Sequence, residues 1–211
     1  MSVAVVFGPG LTALAEALRS GDDAPRVRVR AAGEAAAERG AALRELLGAG
    51  TDTVLLVDRA MPVRPDWMRA GPLFALVADH INLTGDNPLV GPNADEWGPR
   101  FPDLTDAWDP ALRGAIRGAA VRAGHDVREG VFAGVAGGSR TAAELSMLRM
   151  LGADMAGDGF VHEAIVARHA GRRVAGLAVL ATGGELPGEP EACEALVRTA
   201  IAAVETGARP G

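Results

Sequence analysis

Four ionisable side chains stand where their neighbours could turn them into chemistry. Asp158 and His162 frame Gly157-Asp-Gly-Phe-Val-His-Glu163, so an imidazole that titrates near neutrality lies beside a carboxylate at the start of a helix, a workable acid/base pair. The same residues also read as an acidic side chain meeting the helix dipole and a surface histidine. Arg140 precedes the pattern Thr141-Ala-Ala-Glu144 and offers a five-donor cation suited to a carboxylate, a phosphate or an electron-rich carbonyl; its alternative is a salt bridge at the helix start. Asp58 closes the apolar run Val54-Leu-Leu-Val57, and the carboxyl end of a strand is where open α/β sheets bind ligands. It reads equally as a strand-end cap, with Arg59 or Arg64 as its natural cation.

Elements able to position these groups are visible in the pattern. Short β-branched runs, Val3 to Phe7, Thr53 to Val57, Leu73 to Val77, Val131 to Val135 and Val174 to Leu180, alternate with Ala/Leu/Arg segments of helical character, as in a sheet covered on both faces. Helices are expected at Thr12 to Arg19, Ala31 to Leu47, Pro110 to Ala123, after the capping box at Thr141, around Glu163 to His169 and from Glu191 to Glu205. Arg26, Arg28 and Arg30 alternate with valines as on a solvated edge strand. The stretch from His80 to Asp109 is rich in Gly, Pro, Asn and Asp, and a loop that long in a compact domain is usually functional or interfacial.

Composition narrows the function. The 211 residues suit one α/β domain, residues 1–211. Net charge −6 leaves no basic footprint for nucleic acid. All 21 basic residues are arginine, a coding bias without mechanism. Cys193 is the single cysteine, so no internal disulfide can form, and no metal-ligand or cofactor motif is present. No apolar run is long enough for a bilayer, and Met1 to Leu18 reads as strand and turn, so a cytoplasmic protein with no membrane partner is expected.

The ordered series Asp79-His-Ile-Asn-Leu83, Asn87-Pro-Leu89, Gly91-Pro-Asn93 and Arg100-Phe-Pro-Asp-Leu-Thr-Asp-Ala-Trp-Asp109 resembles the trimeric purine nucleoside phosphorylases. Val135-Ala-Gly-Gly-Ser139, Leu151-Gly-Ala-Asp154 and Glu163-Ala-Ile-Val-Ala-Arg-His-Ala-Gly171 extend the resemblance. It implies a central mixed β-sheet flanked by helices, a homotrimer, and Phe101 reaching a neighbouring subunit's pocket, with His80 and Phe160 near the small-molecule ligand. It also marks departures. Pro9 stands where the family's phosphate loop has serine, removing a hydroxyl and an N–H together. The family's Arg-Xaa-His clamp has no counterpart, since no histidine precedes His80, and the sequence contains no tyrosine. Asp58-Arg-Ala-Met-Pro62 replaces a small-residue segment, and Arg140 replaces a base-binding glutamate. Gly159 replaces a phosphate-binding serine, and Thr182 or Gly183 falls where an asparagine would read the purine. These departures imply a scaffold that has lost phosphorolysis and rebuilt its site around Arg140, Asp158 and His162. A non-catalytic member that binds a ligand or partner is the alternative, and a genuine purine nucleoside phosphorylase the third reading.

Overall fold

A computed structural model describes residues 2–9, 11–18, 26–29, 36–48, 50–67, 73–138, 140–181 and 190–207. Seven strands and six helices appear in the order β1 (Ser2–Phe7), α1 (Thr12–Leu18), β2 (Arg26–Val29), α2 (Ala36–Leu47), β3 (Thr51–Pro62), β4 (Leu73–Asn82), α3 (Pro110–Arg122), β5 (Val127–Gly134), α4 (Ala142–Met150), β6 (Met155–Gly157), α5 (Val161–His169), β7 (Arg173–Leu180) and α6 (Pro190–Gly207). The sheet is mixed, as expected. Its order is β2-β1-β3-β6-β5-β4-β7, and an additional pairing of β3 with β7 joins five of the strands into a ring.

The long β3 makes that ring possible. Residues 53–60 run parallel to β7, whereas Met61 and Pro62 pair antiparallel with Ala156 and Met155 of β6. β4 pairs antiparallel with β7 through residues 73–76 and parallel with β5 out to Asn82. The strand therefore runs past the expected end at Val77 and carries Asp79 together with His80 to Asn82, which the residue pattern assigned to the following loop. β1 lies parallel to β3 with Phe7 opposite Val57, so the turn after β1 arrives beside Asp58.

Alternation on the strands sends side chains into two cores. Val5, Phe7, Leu55, Leu177 and Val179 pack against α1, α3 and α6, whereas Val54, Leu56, Trp108, Phe132 and Phe160 pack with α2 and α5. Local signals start the helices as anticipated. Thr141 and Glu144 form a reciprocal capping box, and the Asp109 carboxylate accepts from Ala111 N and Leu112 N ahead of Pro110 at the first turn. Asp109 also binds Arg173 at 2.6 Å, fixing α3 to β7; that ion pair and the two helix amides hold its carboxyl below the usual carboxylate range against its partial burial. Among the described residues no helix is long and apolar enough to cross a membrane, and no group of His, Cys, Asp and Glu could hold a metal ion.

Candidate functional site

Asp58 is the most tightly enclosed of the candidate residues on the strands. It lies within β3, which runs on to Pro62 past the strand end expected after Val57, and pairs with Ala178 of β7; it is 6% exposed, with its Oδ1 accepting from Arg59 N at 2.7 Å. Gly8 is held against the same strand by a 2.8 Å bond from its N–H to Val57 O, and Gly159 approaches from the segment before α5. The carboxylate lies tight between these two glycines: a Cβ added at either would overlap the Asp58 carboxylate oxygens. Sequence pattern offered Arg59 or Arg64 as its cation. Arg64 instead pairs with Asp66 at 3.0 Å and Asp154 at 3.4 Å and lies over the Trp67 ring.

Next to Asp58 is a cavity of about 10 Å³, lined by Phe7, Gly8, Leu56, Asp58, Phe160 and Glu163 among others. That is the space of one water molecule. Its wall includes a strained turn. Phe160 has φ 66° and ψ −53°, and Val161 N donates to Gly159 O at 2.8 Å, which together make a γ-turn around a non-glycine residue. Aromatic packing holds it there: the Phe160 ring meets Phe132 at 4.9 Å and Trp108 at 6.1 Å, both edge to face. Trp108 Nε1 in turn donates to His80 Nδ1 at 3.0 Å, which places the neutral imidazole's proton on Nε2.

Behind the turn is a polar lock that the sequence did not reveal. Arg39, on α2 and 7% exposed, donates through Nη1 to Asp158 O at 2.7 Å; the same nitrogen is 3.5 Å from His162 Nδ1 and 4.0 Å from Glu163 Oε1. With Nδ1 facing a donor, the His162 proton belongs on Nε2, which lies 3.2 Å from Thr84 Oγ1. Thr84 is itself bound to Asn82 Oδ1 at 2.7 Å. Thus α2, α5 and the loop after β4 meet around one imidazole.

His162 is therefore buried, which corrects its reading as a surface histidine. Both of its ring nitrogens have polar neighbours, Arg39 at Nδ1 and Thr84 at Nε2. Asp158, half-buried, joins this group through its backbone carbonyl. Arg140 folds back along its own loop, its Nη2 donating to Val135 O at 2.8 Å. Phe101 is 86% exposed, and Arg100 beside it donates to Leu89 O and Gly91 O at 2.8 Å each, joining the matched segments of the long loop. Thr182 and Gly183 lie outside the described residues. Arg39, Thr84 and the Asp58 clasp were missed, because none carries a local signal.

Burial pushes both His80 and His162 below the ordinary histidine value of 6.5, and Arg39 adds to the effect at His162 while Glu163 and Asp86 oppose it. A histidine whose folded-state value is lowered takes up its proton more readily in the unfolded chain, so stability present above 6.5 should be lost as the pH falls from there through the folded values. Thermal melts across this range should show the loss, and His162→Gln should reduce its steepness. An unchanged slope would place the titration elsewhere.

The family model for the phosphorylase superfamily matches residues 19–209. Purine nucleoside phosphorylase 1 of Bacillus subtilis is 37% identical over 139 residues, 65% of this chain and 51% of that protein. The purine nucleoside phosphorylase of Mycobacterium tuberculosis is 39% identical over 171 residues, 79% of this chain and 58% of that protein. This chain thus aligns with only about half the length of the curated relatives it matches. A solved purine nucleoside phosphorylase in complex with ribose-1-phosphate superposes with a TM-score of 0.81 at 23% identity, covering 100% of this chain and 91% of that one. The Schistosoma mansoni enzyme in complex with inosine gives 0.75 at 23%, with coverages of 100% and 91%. At these identities the solved structures establish a shared fold.

Proposed function

This chain belongs to the phosphorylase superfamily, and from that premise we propose that it acts on a nucleoside-like small molecule without using inorganic phosphate. One observation carries the reading: the Asp58 carboxylate fills the space between Gly8 and Gly159, the two segments that the resemblance assigns to phosphate. A carboxylate wedged there takes up the room an anion would need and adds charge of the same sign. Two donors that the resemblance places in these segments are missing too. Pro9 has no N–H, Gly159 no hydroxyl, and hydrogen bonds to a charged group are worth about 1.5–3 kcal/mol each.

Hypoxanthine release from inosine, followed with and without added phosphate, tests this directly. The expected result is a rate independent of phosphate. Phosphate-dependent release with formation of ribose 1-phosphate would instead establish purine nucleoside phosphorolysis, the second reading, which the named activity of the curated relatives favours. Failure to bind any nucleoside would leave the non-catalytic alternative.

The working form in this reading is a homotrimer. Phe101 and Val90, at 86% and 80% exposure, put bulky apolar side chains on the surface of the long loop, where cover by a second copy would bury them. Light scattering should give the mass of three chains, with Phe101 close to a neighbour's site. The mass of one chain would overturn both.

A further inference from the structure

We infer that Arg39 and His162 form a proton-operated latch: a proton taken up by the imidazole frees the first turn of α2 from the start of α5 and loosens the turn at Phe160, while the rest of the fold stays closed. The inference does not depend on which small molecule the site takes. Three elements meet at His162, and they hold it in unequal ways. Arg39 Nη1 of α2 stands 3.5 Å from Nδ1, and Thr84 Oγ1 of the loop after β4 stands 3.2 Å from Nε2. With Nδ1 as acceptor and Nε2 as donor, the neutral ring suits both neighbours.

A proton on Nδ1 upsets one side only. Thr84 Oγ1 donates to Asn82 Oδ1 at 2.7 Å, so it accepts from Nε2–H whether or not the ring is charged. On the other side two donors and two like charges would meet across 3.5 Å, and arginine cannot yield its proton. The ring also lies in the first turn of α5, where the helix dipole opposes positive charge. Burial, the largest influence on the ring, and Arg39 of α2 favour its neutral form; Glu163 of α5 and Asp86 of the loop after β4 favour the charged one. The neutral form prevails, so proton uptake and the present place of Arg39 oppose each other.

The release has a limited reach. Leu43 and Leu47, one and two turns further along α2, are buried in the core and keep that half of the helix seated. In the first turn Ala37 and Glu38 are exposed, and Arg39 ties it to the start of α5 through the 2.7 Å bond to Asp158 O and the 4.0 Å approach to Glu163 Oε1. Moving Arg39 frees the Asp158 carbonyl two residues before Phe160, whose turn walls the cavity beside Asp58.

The test follows the full chain by NMR from about pH 7.5 to about pH 5.5, across the ordinary histidine value of 6.5. Side-chain ¹⁵N shifts read proton uptake on His162, and amide exchange, expressed as protection factors, reads opening. The amides of residues 40–43 report the first turn of α2, since in a helix they donate to the carbonyls of residues 36–39. Val161 N and Ala164 N, bonded to Gly159 O and Phe160 O, report the turn. Opening linked to one proton should lower protection at both places by up to about tenfold over this range, in step with the ¹⁵N titration, while the amides of β7 keep theirs. His162→Gln, which offers an acceptor and a donor to the same neighbours but takes no proton, should make protection in α2 independent of pH. Should that variant not fold, the ¹⁵N titration of the unaltered chain decides alone. Proton uptake by His162 with a change below about twofold in α2, or no uptake in this range, would overturn the inference. So would β7 losing protection in step with α2, which is global unfolding, or a pH dependence that persists in a folded His162→Gln chain.

Discussion

Replacing Arg39 by methionine should lower the stability to unfolding by about 3–5 kcal/mol, the cost of removing one partner from a buried ion pair. Methionine conserves the length and apolar stem of the side chain, so little of the loss would come from packing. What goes is a cation 4.0 Å from the buried Glu163 carboxylate and the 2.7 Å donor to Asp158 O, in a place where water cannot substitute freely. The same change should loosen the γ-turn at Phe160, because the Asp158 carbonyl is tied to α2 only two residues before it. Urea denaturation measures the first effect, and amide hydrogen exchange at residues 157–163 the second. If the ion pair dominates, Glu163→Gln made together with Arg39→Met should recover much of the lost stability, since no uncompensated charge remains. A loss below about 1 kcal/mol for Arg39→Met would show that the pair behaves like a surface one.

How much of this could be read from the sequence depended on how local each signal was. The capping box at Thr141 and Glu144, Pro110 at a first helical turn and the valine-rich strands are legible because propensity and burial agree within a few residues. β6 was not legible, as Met155–Gly157 is too short to show any period and exists only because β3 and β5 lie on either side of it. β4 was cut short at Val77 in the residue pattern, because Asp79 and His80 look like loop residues until β5 pairs with them. Within the site, Asp58 and the Asp158–Glu163 segment were legible as candidates, although β3 runs on to Pro62 where the pattern ended the strand at Val57. Arg39 was not: α2 contains two arginines among alanines and leucines, and nothing in its pattern distinguishes the buried one from Arg44. The clasp on Asp58 draws on residues 8, 58 and 159, and only the parallel register of β1 with β3 and the turn into α5 bring them together. Sequence can mark a glycine as permissive; it cannot say which carboxylate uses the room.

That clasp makes a definite claim about coupling. Gly159→Ser should destabilise the protein by about 1–3 kcal/mol, the usual cost of adding atoms to a filled site, because its Cβ would fall on the Asp58 carboxylate. The strain has little room to relax: turning the carboxylate toward Gly8 brings it against that residue's Cα, and leaving the clasp forfeits the 2.7 Å bond from Arg59 N. Truncating Asp58 to alanine removes the atoms that collide. In the double variant Asp58→Ala/Gly159→Ser the serine should then be accommodated, and its cost measured on that background should largely vanish. The resulting interaction energy, about 1–3 kcal/mol, is well above the few tenths by which independent sites depart from additivity. Four urea denaturation curves, for the unaltered chain, the two single variants and the double, close the cycle. If the two changes simply add, the carboxylate does not occupy the space between Gly8 and Gly159, and the argument that it takes the place of phosphate falls with it.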